Sequence, residues 1–360
     1  MIKKTYSNID VVSMAKIRIK NVFDSANKIE LSLSGGKDSI CLNNLIFEMC
    51  QSGEIDKSKL VVDFIDEEAI YPCVERIVKN MRLQWLSLGV EFRWWCIQVK
   101  HYNCFNQLTN DESFICWDET KRDVWIRPMP KFAIKSDPLL RDRKDTYQEF
   151  MNRKLSDCIS LIGVRASESL QRYYNIASRT AQEKQFPIYD WTDTDVWNYI
   201  REKQLDFPDA YMYMYQVGVP LNRLRISQFF SIDTASSLVQ MCEFYPDLFN
   251  KICKREPNAY IAMLYFDTEL FRRSKKNKET QKEDETDYRE RLAEILKENW
   301  RFDSPQGQQL KGHINRLLLK YGPVITQKDY KTFCQIAIAG DPKRRSIRAL
   351  EINLLPKKGG

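Results

Sequence analysis

The first hundred residues show a regular alternation of apolar patterns. Apolar residues in 10–27 recur at helical spacing and predict an amphipathic helix, while the short apolar run at 28–33 predicts a buried strand. Apolar positions in 40–50 again fit one face of a helix. The start of the chain therefore predicts a helix, then a strand, a tight loop and a second helix.

The same unit then repeats. Residues 59–65 and 90–99 read as buried strands on either side of a helix at 74–88, and a further strand is predicted at 158–163. Strands that alternate with helices of this length imply right-handed crossovers and a parallel sheet. We predict an α/β fold, with a parallel twisted sheet and helices on both faces.

The pattern changes twice along the chain. Residues 102–138 are irregular and rich in Trp, Asp, Lys and Pro, which predicts a long inserted loop of functional importance. After residue 240 the apolar spacing is mainly helical, with a charged linker or exposed loop at 272–287. We therefore expect an α/β domain at 1–240 and a helical C-terminal region at 241–360.

Composition narrows the class of protein. The chain has 360 residues, of which 43% are hydrophobic and 29% charged, as in folded globular proteins. No apolar run is long enough to span a bilayer and the start lacks a secretory signal, so we expect a cytoplasmic protein without membrane contact. The ten cysteines include no CxxC pair, which favours reduced core thiols over disulfides, a zinc site or an iron–sulfur cluster.

Charge and histidine content add two limits. Only His101 and His313 are present, which leaves few ways to build histidine chemistry and favours phosphate and carboxylate chemistry. The net charge is +7, and basic residues cluster at 272–276 and 343–345. These clusters fit either an exposed surface or a patch for nucleic acid or an acidic partner. The sequence does not indicate an oligomeric state.

The strongest chemical signal lies between the first strand and its helix. We call this segment the glycine loop; it consists of Ser34, Gly35, Gly36, Lys37, Asp38 and Ser39. Adjacent glycines allow main-chain N–H groups to approach a phosphate, and the following helix adds its positive N-terminal end. The loop is not a Walker A motif, because Leu31 stands where that motif requires glycine. The sequence therefore predicts a different polyphosphate site, with Lys37 neutralising phosphate charge.

The glycine loop resembles the signature of the PP-loop, or ATP-pyrophosphatase, superfamily. Three further segments are similar to its phosphoadenosine phosphosulfate reductase branch: residues 62–72, 163–172 and 187–197. The resemblance implies an adenine nucleotide alpha-hydrolase-like fold, ATP and Mg²⁺ as cofactors, and cleavage of ATP between its α and β phosphates. It implies catalytic roles for Lys37 and Asp38.

The resemblance also implies nucleotide contacts outside the loop. The residues concerned are Asp66, Gly163, Arg165, Glu168 and Arg172. The two arginines are seven residues apart, so on a helix they share one face and suit phosphate or sulfate oxygens; ion pairs with Glu168 are the alternative. Carboxylates at the end of a strand can hold Mg²⁺ against phosphates, so Asp38 and Asp66 are the candidate metal ligands.

Three functions remain open on the sequence. The intact loop favours ATP, and no cysteine follows Cys334, which speaks against a reductase with a cysteine-containing tail. The first hypothesis is an enzyme that adenylates an acceptor, on the way to sulfur transfer. The second is a sulfonucleotide-binding reductase or sulfurtransferase in which Cys116 handles sulfur. The third is a nucleotide-sensing regulatory subunit that binds nucleic acid or a protein.

The insert and the helical C-terminal region resemble one branch of the family in particular. They are similar to bacterial phosphoadenosine phosphosulfate reductase-like sulfurtransferases. That resemblance implies a ParB-like protein partner and a role in phage defence.

Overall fold

The computed structural model forms two compact units, Met1–Phe266 and Asp267–Gly360. None of the helices that it describes is long and apolar enough to cross a membrane. The described residues are 8–106, 113–168, 172–173, 176, 183–221, 224–226, 229–230, 241–265, 287–341 and 343–354.

The first unit is built on a five-stranded parallel sheet, as the sequence predicted. Its strands are β1 (Ile29–Leu33), β2 (Leu60–Ile65), β3 (Glu91–Trp95), β6 (Ile159–Ile162) and β7 (Lys184–Gln185). Their order across the sheet is β3-β2-β1-β6-β7. Strands β2 and β3 thus extend the sheet on one side of β1, and β6 and β7 extend it on the other side. In open parallel sheets, the crevice between β1 and β6 at such a reversal is where ligands bind.

The strand register fixes which loops meet at the carboxyl edge of the sheet. Leu33 of β1 pairs with Phe64 of β2, and Ser32 pairs with Ile162 of β6. The segments that follow β1, β2 and β6 therefore leave the sheet at the same level. Only those after β1 and β6 flank the reversal.

Helices surround the sheet, and most begin where the sequence places them. In the first unit they are α1 (Val11–Ser25), α2 (Lys37–Ser52), α3 (Pro72–Ser87), α4 (Tyr147–Lys154), α5 (Asp193–Glu202), α6 (Ala210–Gln216), α7 (Pro246–Arg255) and α8 (Asn258–Tyr265). Helix α4 is short, with eight residues. Thr146 and Glu149 form a capping box that starts the helix at residue 147, and this fixes its beginning.

The insert is more ordered than the sequence indicated. Two short strands, β4 (Lys100–Tyr102) and β5 (Ser113–Ile115), pair antiparallel, and a 3₁₀ segment follows at Glu119–Val124. Asp118 caps this segment by accepting a hydrogen bond from the Thr120 N–H. The expectation of an irregular loop over 102–138 is wrong in these parts. The sequence could not predict the strands, because three residues are too few to show an alternation of apolar and polar positions.

The second unit is helical, in agreement with the apolar spacing. Its helices are α9 (Tyr288–Lys297), α10 (Pro305–Tyr321), α11 (Gln327–Ala339) and α12 (Arg345–Leu354). They pack around one apolar core that includes Leu292, Ile314 and Phe333. Helices α7 and α8, which the sequence assigned to the C-terminal region, belong to the first unit. The proposed linker at 272–287, except residue 287, lies outside the described residues, as does the basic cluster at 272–276.

Candidate functional site

The backbone of the glycine loop requires glycine for two separate reasons. Gly35 has a φ of +73°, in the left-handed region that side chains disfavour. A Cβ atom at this position would lie 2.7 Å from Val74 Cγ1 and 2.9 Å from Val78 Cγ2, both on α3. Gly36 is the N-cap of α2 and provides no side-chain cap of its own. The loop thus turns tightly, and its own N-cap residue provides no side chain to cap the start of α2.

The two serines of the loop hold its shape. The Ser34 hydroxyl donates to Ser39 Oγ at 3.0 Å, and the Ser39 hydroxyl donates to the Gly36 carbonyl at 3.0 Å. The Gly36 N–H in turn lies 3.4 Å from Ser34 Oγ. These bonds close the loop on itself, so its N–H groups are oriented by the protein alone.

Gly163 follows β6 and touches the first turn of α2. A Cβ atom there would lie 2.8 Å from Ser39 Cα and 2.9 Å from the Asp38 carbonyl oxygen. These contacts are with backbone, which cannot move aside as a side chain can. Gly163 therefore allows the chain after β6 to approach the glycine loop across the sheet reversal.

Four charged side chains meet at this point, and we call them the loop cluster: Lys37, Asp38, Arg165 and Asp193. Arg165 Nε donates to Asp38 Oδ1, and Arg165 Nη2 donates to Asp193 Oδ1 at 2.7 Å. Lys37 Nζ lies 3.1 Å from Asp38 Oδ2 and 3.9 Å from Asp193 Oδ1. Burial by itself would lower the pKa of Arg165, but the charges of Asp38 and Asp193 raise it above its usual value.

Residues that follow α5 in the chain also contact the glycine loop. The Lys37 N–H, in the first turn of α2, donates to the Tyr211 hydroxyl at 3.0 Å. Lys37 Nζ donates to the Leu224 carbonyl at 3.1 Å. The Tyr211 hydroxyl thus takes the position at the helix start where a phosphate oxygen accepts hydrogen bonds in phosphate-binding loops. The sequence reasoning did not find Asp193 or Tyr211 as site residues.

Arg172 and Glu168 lie at the border of the cluster. Arg165 Nη2 is 3.5 Å from Glu168 Oε1, and Arg172 pairs with the same carboxylate. Both arginines therefore make the ion pairs with Glu168 that their spacing also allowed. Contact of either arginine with a nucleotide stays a prediction.

A second charged group lies after β2, and we call it the buried cluster: Asp66, Glu68, Arg127 and Arg255. Arg255 Nε donates to Glu68 Oε1 at 2.9 Å, and Arg127 pairs with the carboxylate of Asp66. The Arg127 Nε–H donates to the Glu68 carbonyl at 3.2 Å. Asp66 is 1% exposed and Glu68 0%. Both carboxylates of this cluster are therefore buried.

Tryptophans close the buried cluster. Trp94 Nε1 donates to Asp66 Oδ2 at 2.7 Å, and Trp117 Nε1 donates to the Asp66 carbonyl at 2.6 Å. The contacts of Asp66 within the described part of the chain are with this cluster and its surroundings rather than with the glycine loop. The structure thus brings Asp38 to the reversal and keeps Asp66 with Arg127.

Cys116 lies beside the buried cluster. Its thiol is 1% exposed and donates to the Glu67 carbonyl at 3.4 Å. Burial raises the pKa of Cys116 well above its usual range, so the reactive thiolate is disfavoured. All ten cysteines are free thiols.

The sheet, the glycine loop and the charges at the reversal define an α/β protein with a glycine-rich loop at the start of a helix. Residues 28–232 match the family described as the phosphoadenosine phosphosulfate reductase domain. The match covers more than half of the chain, which therefore belongs to this family.

Two individual proteins are similar to this chain. An uncharacterized protein of Escherichia coli (strain K12), YbdN, is 29% identical over 286 residues, which cover 71% of this chain and 68% of that protein. Among solved structures, the U34-tRNA thiolase NcsA from Methanococcus maripaludis, described with its 4Fe-4S cluster, is 10% identical. That similarity has a TM-score of 0.32 and covers 72% of this chain and 82% of the thiolase.

Proposed function

We propose that this protein binds ATP in the glycine loop and cleaves it between the α and β phosphates. An acceptor attacks the α phosphate and becomes adenylated while pyrophosphate leaves, and a sulfur donor then displaces AMP from the acceptor. The observation that carries the proposal is the arrangement at the sheet reversal. There, the glycine loop opens α2 while Lys37 and Arg165 bring two positive charges to the same end of the helix. Membership of a family named for a sulfonucleotide supports a nucleotide and sulfur-related reaction.

The residues of the loop cluster would act by stabilising charge. Phosphate oxygens would accept hydrogen bonds from N–H groups in the first turn of α2, taking the place of the Tyr211 hydroxyl at the Lys37 N–H. Lys37 and Arg165 would stabilise the negative charge that develops on the separating pyrophosphate. No nucleophilic side chain is required for this cleavage. Asp38 and Asp193 would hold both cations in position.

Magnesium fits this arrangement through Asp38 rather than Asp66. No group of three or more His, Cys, Asp and Glu side chains forms a metal site in the described parts of the chain, so the ion would depend on nucleotide phosphates and one protein carboxylate. Asp38 lies in the first turn of α2 beside the glycine loop, and its carboxylate would exchange its contact with Lys37 for the ion. The Asp66 carboxylate is buried with Arg127 and Trp94 instead. Bound Mg²⁺ would neutralise phosphate charge.

The test is to measure pyrophosphate and orthophosphate release from ATP with Mg²⁺ and candidate acceptors. We expect pyrophosphate, and we expect Lys37→Ala to lower its release by about 100-fold, the usual effect of losing one charge-stabilising donor. Lys79→Ala is the control, because Lys79 lies on α3 and pairs with Glu75 away from the loop. Full activity of Lys37→Ala, or release of orthophosphate alone, would refute the proposal.

The family match also favours a second candidate, in which the ligand is a sulfonucleotide. Arg165 and Arg172 would then bind its sulfate or 3′-phosphate, and Cys116 would handle sulfur. The buried thiol of Cys116 counts against that role in this conformation. Competition between ATP and the sulfonucleotide for binding would separate the candidates. Unchanged sulfur transfer in Cys116→Ser would exclude the role of this thiol.

A regulatory role forms the third candidate. The chain would sense a nucleotide without turnover, while a ParB-like protein or nucleic acid binds its basic C-terminal region in phage defence. The basic residues 343–345 at the start of α12 are its support in the described structure. Tight ATP binding without release of either phosphate product, together with salt-sensitive nucleic-acid binding, would favour it over the enzyme.

A further inference from the structure

A polar pocket lies in the first unit, among the insert, the β4–β5 ribbon and the end of α7. Its volume is about 350 Å³, which is within the range of small-molecule sites. We call it the insert pocket. The lining residues used below are Lys100, Asp118, Thr120, Lys121, Arg143 and Arg255.

Positive charge dominates the insert pocket. Arg143 pairs with Asp118, whose Oδ1 also accepts the Thr120 hydroxyl at 2.7 Å. The side chains of Lys100 and Lys121 are exposed, and the ion pairs of this region among the described residues are formed by Arg122 and Arg143 instead. Glu256 lines the pocket as well. Since Arg143 is paired with Asp118 and Arg255 with Glu68, the two lysines exceed the remaining acid by one positive charge.

The base of the pocket is rigid. Arg255 is 3% exposed, and its Nε and Nη2 groups are bound to Glu68 at 2.9 and 3.3 Å. Nη2 also donates to the Ile115 carbonyl at 2.8 Å. Guanidinium carries five N–H donors, and Nη1 makes no hydrogen bond within the described part of the chain. A fixed cation with one amino group that no described residue accepts from suits an oxyanion.

Backbone strain is concentrated around the same pocket. Glu68, Trp117 and Arg143 have φ values of +67°, +52° and +60°, and these are three of the five positive-φ residues other than glycine among those described. The Trp117 N–H donates to Glu68 Oε2 at 2.8 Å, so two of the strained residues support each other beneath the pocket. Such strain persists where the surroundings enforce it, and it clusters at binding sites.

We propose that the insert pocket binds the phosphate group of a second ligand, a phosphate monoester distinct from the nucleotide in the glycine loop. A doubly charged tetrahedral anion matches the two exposed lysines and the buried Arg255 cation better than a singly charged carboxylate does. The inference goes beyond the proposed function, because its test requires no ATP cleavage.

The test is an NMR titration with inorganic phosphate that follows the indole N–H of Trp125. This group donates to the Asp118 carbonyl at 2.9 Å and so reports on the pocket wall. Trp125→Phe assigns the signal among the eight tryptophans. We expect a saturable shift with phosphate and none with acetate.

Variants then locate the site. The double variant Lys100→Ala/Lys121→Ala should weaken phosphate binding at least tenfold, whereas the control Lys131→Ala/Lys135→Ala removes two exposed lysines of the insert outside the pocket lining and should not. Lys37→Ala should leave the Trp125 titration unchanged, since it affects the glycine loop alone. The proposal is overturned if phosphate gives no saturable shift, if acetate matches it, if the double variant binds as the wild type does, or if Lys37→Ala abolishes the response.

Discussion

The loop cluster and the buried cluster contain the same kinds of side chain but differ in position and access. The loop cluster joins the ends of β1 and β6 at the sheet reversal, and its Asp193 side chain is 38% exposed. The buried cluster follows β2, and the Glu68 and Arg255 side chains are 0% and 1% exposed. Place in the sheet and exposure of the carboxylates therefore separate the two clusters, because the Lys37 and Arg165 side chains are themselves only 2% exposed.

Burial also determines how strongly each carboxylate depends on its cationic partners. Burial raises the pKa of Glu68, and the charge of Arg255 opposes that rise. The Glu68 carboxylate thus has one arginine as its cationic partner, together with hydrogen bonds from the Trp117 and Ile126 N–H groups. Asp38, by contrast, has both Lys37 and Arg165 as partners. Loss of one partner should therefore cost more in the buried cluster than in the loop cluster.

The largest effect should come from Arg255→Met. It leaves the Glu68 carboxylate buried without its cation, which costs about 3–5 kcal/mol of unfolding free energy in comparable sites. Urea denaturation measures the loss. Arg76→Met is the control, because Arg76 forms an exposed pair with Asp206 that should contribute about 0–1 kcal/mol. Equal losses in the two variants would contradict a structural role for the buried cluster.

The next largest effect should come from Gly35→Ala. Left-handed backbone costs about 1–2 kcal/mol with a side chain, and crowding against Val74 and Val78 adds about 1–3 kcal/mol. Gly53→Ala is a matched control, because Gly53 has a φ of +76° and a Cβ atom there would meet nothing within 4 Å. The difference in unfolding free energy isolates the packing contribution. If the two variants lose the same unfolding free energy, the packing of α3 against the loop does not contribute to stability.

A smaller effect should follow Arg165→Met, and it should act on binding. Charge-assisted hydrogen bonds contribute about 1.5–3 kcal/mol, so ATP affinity should fall at least tenfold in a fluorescence titration. The stability loss should stay below that of Arg255→Met, since Asp38 keeps Lys37. Arg18→Met removes a bidentate pair with Asp190 as control and should leave affinity unchanged. An unchanged affinity in Arg165→Met would assign this arginine to structure alone.

The sequence predicted the sheet and the glycine loop because both depend on local patterns. Buried strands form continuous apolar runs, and the paired glycines mark the turn before α2. It did not predict the roles of Asp193 and Tyr211, because their partners are distant in the sequence. Asp193 lies 28 residues after Arg165, and Tyr211 lies 174 residues after Lys37. It also grouped Asp66 with the glycine loop, because only the fold shows that Arg127 occupies its carboxylate.

The smallest effect should come from Tyr211→Phe, and its direction is informative. The Tyr211 hydroxyl accepts the Lys37 N–H at 3.0 Å, so a phosphate oxygen must compete with it for the same donor. Removing the hydroxyl removes the competitor, and a typical hydrogen bond contributes about 0.5–1.5 kcal/mol. ATP affinity should therefore rise by about two- to tenfold in a binding titration. Tyr213→Phe is the control, because Tyr213 stacks on Phe244. Weaker ATP binding in Tyr211→Phe would mean that the hydroxyl assists the nucleotide rather than competing with it, and the loop cluster would then already be arranged as a binding site.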